Sequence, residues 1–177
     1  MSHSSHTAFS ATKILLPLDF TTSSEAAFEA ATGLADQFHA SIHLVHIIPV
    51  TPDFNGSDFF PENAILEERR ETIQAKLNGR AEQLMLKGIT ASSSIEEGND
   101  IVGSLMHVIE REQTDLLVIS THGMTGWHPL VFGSLAEKII KHVDCTLLLL
   151  RSAPHPIATL NDPALAVWDD CFTQQVL

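Results

Sequence analysis

The stretch STHGMTGWHPLVFGSLAEKII, Ser120 to Ile140, places Gly123, Gly126 and Gly133 ahead of Ser134, and no lysine or arginine precedes Lys138 within it. Glycines that let backbone approach a ligand, followed by a helix start, suit an anion. The first N–H groups of a helix have no partner inside it, and the aligned peptide dipoles add positive potential there. A phosphate could then be held by backbone alone. The same residues also fit an ordinary helix start, because Ser134 and Glu137 form the Ser-x-x-Glu pattern of a capping box. Glu137 adds negative charge to the first turn and opposes a polyphosphate unless capping occupies it. Neither Gly-x-x-x-x-Gly-Lys-Ser/Thr nor Gly-x-Gly-x-x-Gly occurs. Cradle and cap both remain open on these residues.

Other polar residues point to less. Asp19 ends the run KILLPLDF, where a carboxylate suits a general base or a ribose hydrogen bond, and no nucleophile is tied to it by spacing. His43 and His46 stand three apart on a strand, so they face opposite sides and share no metal. His122 beside Gly123 suits loop orientation. Cys145 and Cys171 form no Cys-x-x-Cys pair, which suits a reducing compartment rather than a disulfide framework or a metal site. No catalytic residue and no metal ligand is assigned.

The elements that would position these residues alternate. KILLPLDF, Lys13 to Phe20, reads as a strand, and TTSSEAAFEAATGLADQF as a helix with Ala26, Ala27, Ala30, Ala31, Leu34 and Phe38 at helical spacing, opened by Thr22 and Glu25. SIHLVHIIPV, Ser41 to Val50, is a second strand, followed by a loop and a helix within Glu62 to Lys87 bearing Leu66, Ile73, Leu77 and Leu84. Ile89, Ala91, Ser93 and Ile95 mark a weaker strand before the helix DIVGSLMHVIERE, with apolar Ile101, Leu105, Val108 and Ile109. DLLVIS, Asp115 to Ser120, then GSLAEKIIKHV and CTLLLLR, Cys145 to Arg151, complete five strands and four helices. Strands this continuously apolar, alternating with helices, predict an α/β fold: a single doubly wound, mainly parallel five-stranded sheet with helices on both faces. Its ligands would gather beyond the carboxyl ends of the strands, where strand order reverses.

At 177 residues, 44% hydrophobic and 18% charged, the chain suits one domain. We divide it into a disordered tail over 1–12, the domain over 13–151, and a C-terminal extension over 152–177 with a short apolar cluster around Trp168. The net charge of −12 repels polyanions, so nucleic acid is not an expected partner. The start MSHSSHTAFSAT lacks the basic and apolar parts of a signal peptide, and LLLL, Leu147 to Leu150, is too short to span a bilayer; the expectation is a cytoplasmic protein with no membrane partner.

Over Thr12 to Arg151 the chain resembles the universal stress protein family, especially its ATP-binding branch. That branch carries Gly, two residues, Gly, nine residues, Gly and Ser or Thr; here Gly123, the nine residues Met124 to Phe132, Gly133 and Ser134 match, with Ser120 in the first position. KILLPLDF resembles the family's first strand, LVHIIP its second, and EEGND the turn before its third helix. The resemblance implies a Rossmann-like fold of the adenine nucleotide alpha hydrolase type and a stress-response module that binds ATP, ADP or AMP, with Mg2+ accompanying the nucleotide. It implies that Pro17, Leu18 and Asp19 line the adenine and ribose side, that Ile47 packs on the base, and that Ile119, Ser120 and Gly123 follow the nucleotide. Gly133, Ser134, Leu135 and Ala136 would hold its phosphates. It further implies a homodimer through the last strand and a client protein that the sequence does not name. Slow ATP hydrolysis, or a nucleotide-free dimeric interaction protein whose pocket Ser120 blocks, are the alternatives. The loop MTGWHPLVF has His128 as its sole potential cation, which implies weaker affinity for a triphosphate.

Overall fold

The computed structural model describes residues 9–49, 62–121 and 134–151, apart from the side chains of 22–23, 62–66, 121, 134–135 and 151. Its elements are β1 (Lys13–Pro17), α1 (Thr22–Phe38), β2 (Ser41–Pro49), α2 (Glu62–Leu86), β3 (Ala91–Gly98), α3 (Ile101–Glu112), β4 (Leu116–Thr121), α4 (Ser134–His142) and β5 (Thr146–Arg151). The strands form one sheet in the order β3-β2-β1-β4-β5, with every neighbouring pair parallel.

Two apolar layers sandwich this sheet. On one face Ile14, Leu16, Ile42, Leu44, Leu116 and Val118 meet α1 through Ala27, Phe28, Ala31 and Ala35, and α2 through Ile73, Leu77, Ala81 and Leu84. On the other, Leu15, Val45, Leu117 and Ile119 meet Val102, Leu105 and Val108 of α3 and Ile139 of α4. Alternate residues of one strand therefore serve opposite layers, which is why Ile14 to Leu16 of β1 and Leu116 to Ile119 of β4 are apolar at consecutive positions. The buried face of α1 is narrower than its alanine pattern predicts, for Ala26 is exposed and Ala35 is buried instead. Small side chains there let the helix lie close to the sheet.

Element boundaries move where side-chain chemistry outweighs apolar pattern. The cap of α1 is Thr21, not Thr22: its Oγ1 accepts from the Ser24 N–H at 3.4 Å, while Glu25, expected to complete a capping box, pairs with Arg80 of α2. The first strand stops at Pro17, and Phe20 takes a left-handed φ of 60°. β3 lies later than expected, over Ala91–Gly98, and Ile89 is buried ahead of it. The packed body also starts before Lys13. Ala11 is 1% exposed, and the Phe9 ring meets that of Phe38 edge-on with centroids 5.5 Å apart. Thr12 donates through its backbone N–H and its hydroxyl to Asp115 Oδ2, at 2.8 and 2.6 Å.

Candidate functional site at the carboxyl ends of the strands

The strand order reverses between β1 and β4, each of which is followed in the chain by a helix on a different face of the sheet. A crevice at such a point is where parallel sheets bind ligands. Leu15, Ile47 and Ile119 belong to the α3/α4 layer, and Pro17, two residues beyond Leu15, lies on the same face by strand alternation. Pro17, Ile47 and Ile119 thus form an apolar row across the ends of β1, β2 and β4. The first residue of α4, Ser134, follows the β4 end through the glycine-containing connection.

The other expected residues divide. Leu18 is 4% exposed with its side chain in the α1/α2 layer, so its backbone is the part at the strand end, where its N–H donates to the Val45 carbonyl at 2.8 Å. Asp19 is exposed, and its Oδ1 accepts from the Thr21 N–H at 3.0 Å and the Thr21 hydroxyl at 2.7 Å. Ser120 is half-buried, and alternation from Ile119 turns its side chain toward the α1/α2 face. Ala136 is 8% exposed in the first turn of α4. Gly123, Gly133 and His122 lie outside the described residues, as do the side chains of Ser134 and Leu135. Glu137 accepts from Lys141 Nζ at 2.7 Å along the helix, and that bond holds its carboxyl below the ordinary value. Its charge is therefore drawn toward a lysine one turn on.

At the EEGND turn a Cβ on Gly98 would meet the Ser104 hydroxyl at 2.5 Å, with Ser104 Cβ at 3.9 Å, so rotation of that hydroxyl would make room. Asp100 caps α3, accepting from the Val102 N–H at 3.1 Å.

The two strand histidines separate as their spacing predicts. His43 faces α3 and contacts Ser92 Oγ at 2.8 Å and Ser94 Oγ at 2.9 Å through its two ring nitrogens. Burial lowers its pKa, against the raising effect of Glu112. Arg111 ties this cluster together through Glu96 and Glu112, both at 2.9 Å. His46 lies on the α2 side, donating from Nδ1 to the Leu18 carbonyl at 2.6 Å.

Around His46 lies a feature that neither pattern nor motif indicated. Asp19, Phe20, His46, Glu68, Arg69, Thr72, Ile73 and Lys76 line an open cleft of about 570 Å³ between the ends of β1 and β2 and the first half of α2. Phe20 stacks on His46 with centroids 5.5 Å apart and ring planes 24° from parallel, and Lys76 Nζ stands 5.4 Å from the Phe20 centroid. Local sequence carries no sign of this, because Phe20 and Lys76 are 56 positions apart and meet only through the packing of α2 on the sheet.

The model of the universal stress protein family matches residues 11–151. The chain belongs to this family. A universal stress protein of Methanocaldococcus jannaschii is 29% identical over 143 residues, which are 78% of this chain and 81% of the relative. Among solved structures, a universal stress protein in complex with cAMP superposes with a TM-score of 0.58 at 18% identity, over 81% of this chain and 98% of that one. The Archaeoglobus fulgidus universal stress protein in complex with dAMP gives 0.54 at 16% identity, over 78% and 96%. The five-stranded all-parallel sheet is the fold of these universal stress proteins. Among the described residues no helix is long and apolar enough to cross a membrane.

Proposed function

We propose that the protein is a regulatory universal stress protein that binds an adenine nucleotide at the carboxyl ends of β1, β2 and β4. The observation that carries this is the convergence of Pro17, Ile47 and Ile119 on one face at the strand-order reversal, on the side where α4 packs. The base would lie on Ile47 and Pro17, Asp19 would meet the ribose, and the phosphates would accept from the backbone ahead of and within the first turn of α4. Two family members with this fold have cAMP or dAMP bound, which supports adenosine as the ligand core. The lack of lysine and arginine between Ser120 and Glu137 favours nucleotides of low charge.

Calorimetric titration of ATP, ADP and AMP, with and without Mg2+, tests this on the full chain. Binding of at least one of them is expected, and Ser120→Gly, which restores the family motif, is expected to change ATP affinity little, because the Ser120 side chain turns toward the α1/α2 face. Undetectable binding of all three to both proteins would overturn the proposal and favour a nucleotide-free interaction protein. Release of ADP and phosphate from bound ATP in the same samples would reveal hydrolysis.

The two sheet edges differ in a way that supports a homodimer. β3 presents Ser92, Ser93, Ser94, Glu96 and Glu97, whereas β5 presents a leucine run. Polar and charged residues blunt an edge against pairing, and an apolar edge invites it. We expect β5 to pair with its two-fold copy. Sedimentation at micromolar concentration should give twice the 19.4 kDa chain mass, and a monomer throughout that range would remove this expectation.

A further inference from the structure

Cations are scarce in this acidic chain, and four of the nine lysines and arginines with described side chains pair with carboxylates. Arg70 pairs with Glu97, Arg80 with Glu25, Arg111 with Glu96 and Glu112, and Lys141 with Glu137. Among the described residues neither Arg69 nor Lys76 takes part in such a pair, and both line the cleft beside Asp19. Two cations left without carboxylates at one cavity of a protein with net charge −12 are suited to an anionic ligand.

The cleft is also preformed. Phe20 holds φ at 60°, a region that bulky side chains rarely enter, and its ring stacks on His46 and lies 5.4 Å from Lys76 Nζ. His46 is itself anchored by its bond to the Leu18 carbonyl. Asp19 and Glu68 bring two carboxylates to the same lining, but Asp19 Oδ1 already accepts twice from Thr21, and Glu68 is exposed to solvent screening.

Asp19 joins this cleft to the nucleotide site. Ile47 and His46 are consecutive residues of β2 that face opposite sides of the sheet, Ile47 toward α3 and α4 and His46 toward α2. A nucleoside resting on Ile47, with its 5′-phosphate toward α4, would turn its opposite edge past Asp19 toward Arg69 and Lys76. Resting on the adenine-nucleotide binding proposed above, we infer that the cleft is a second anion compartment, and that the protein selects adenine nucleotides bearing a further phosphate on the ribose 2′ or 3′ position. The cationic side chains missing from the glycine-containing loop are supplied at the other end of the ligand.

The test compares AMP, adenosine 2′,5′-bisphosphate and adenosine 3′,5′-bisphosphate by calorimetry, using the full chain and an Arg69→Met/Lys76→Met double variant that circular dichroism shows to be folded. One bisphosphate should bind about tenfold tighter than AMP, as expected for charge-assisted bonds at a partly exposed site, and the gain should shrink as salt is raised. Whichever isomer gains shows which ribose oxygen faces the cleft. In the double variant the gain should vanish while AMP binds as before; a single Lys76→Gln change should remove part of it. AMP binding without gain for either bisphosphate, or a gain that survives the double variant, would overturn the second compartment and leave the nucleotide site standing. Failure of all three ligands to bind the wild-type chain would overturn both.

Discussion

A Gly133→Val variant is expected to lose adenine-nucleotide affinity by about a hundredfold or more while keeping its fold. The helix α4 starts at Ser134, so position 133 directly precedes a turn whose N–H groups have no acceptor within the helix. A phosphate seated there collects several charge-assisted bonds at once and gains from the positive end of the helix dipole. Valine branches at Cβ and would occupy the space through which phosphate oxygens reach those N–H groups, whereas glycine leaves it clear. The fold should tolerate the change, because α4 is held to the sheet by Ile139, further along its buried side. Calorimetry with ATP and AMP, alongside thermal unfolding, separates the outcomes. Wild-type affinity in a folded variant would show that phosphate does not sit at the start of α4. A Ser134→Ala control reports the share of the hydroxyl, expected to be tenfold or less.

Replacing Asp115 by alanine is expected to destabilise the protein by about 2 kcal/mol at pH 7, with no change in the residues proposed to bind nucleotide. Its carboxylate accepts from the Thr12 N–H at 2.8 Å, the Thr12 hydroxyl at 2.6 Å and the Lys13 N–H at 3.0 Å, stapling the entry of β1 to that of β4. Burial pushes the Asp115 carboxyl up, but these bonds from Thr12 and Lys13 outweigh it and hold the group below its ordinary value. A carboxyl with a lowered pKa in the folded state stabilises the fold fully above its unfolded value of about 3.9, and that stabilisation is lost as pH falls through the folded value. The difference between wild type and Asp115→Ala should therefore be full at pH 7 and diminish progressively below about pH 4. Urea unfolding of both proteins at several pH values measures it. Equal stability at pH 7 would show that the staple contributes nothing, and a difference that persists unchanged at the lowest pH would show that the charge is not its basis. Asparagine, which keeps one acceptor oxygen, should fall between the two.

The order of elements was legible in the sequence because burial on both faces makes a central parallel strand apolar at consecutive positions. KILLP and LLVIS carry that signature, SIHLVHIIP reads as a strand from its β-branched residues, and each is a strand of the sheet. The helices were legible from their period, most clearly Ile73, Leu77 and Leu84 on α2, all of which are buried. The family was legible from the resemblance of its strands and glycine motif, and the match over residues 11–151 shows it. Even the opposite facing of His43 and His46 was contained in the two-residue period of a strand.

Side-chain competition and long-range packing were not legible. Thr21 rather than Thr22 caps α1 because Asp19 holds the Thr21 hydroxyl and backbone, and Glu25 is drawn away by Arg80, whose guanidinium also lies 5.0 Å from the Phe28 ring centroid. Leu18, which the family resemblance groups with Pro17 and Asp19, turns its side chain into the α1/α2 layer, since one step along an extended chain reverses the face. The cleft of Phe20, His46, Arg69 and Lys76 draws on the ends of β1 and β2 and on α2, and its two cations come together only when α2 packs on the sheet. Periodicity reports which way a residue faces relative to its own element, and so it carries the layers of the sheet; which residues of different elements meet depends on how the elements pack, and that is decided only when the whole core closes.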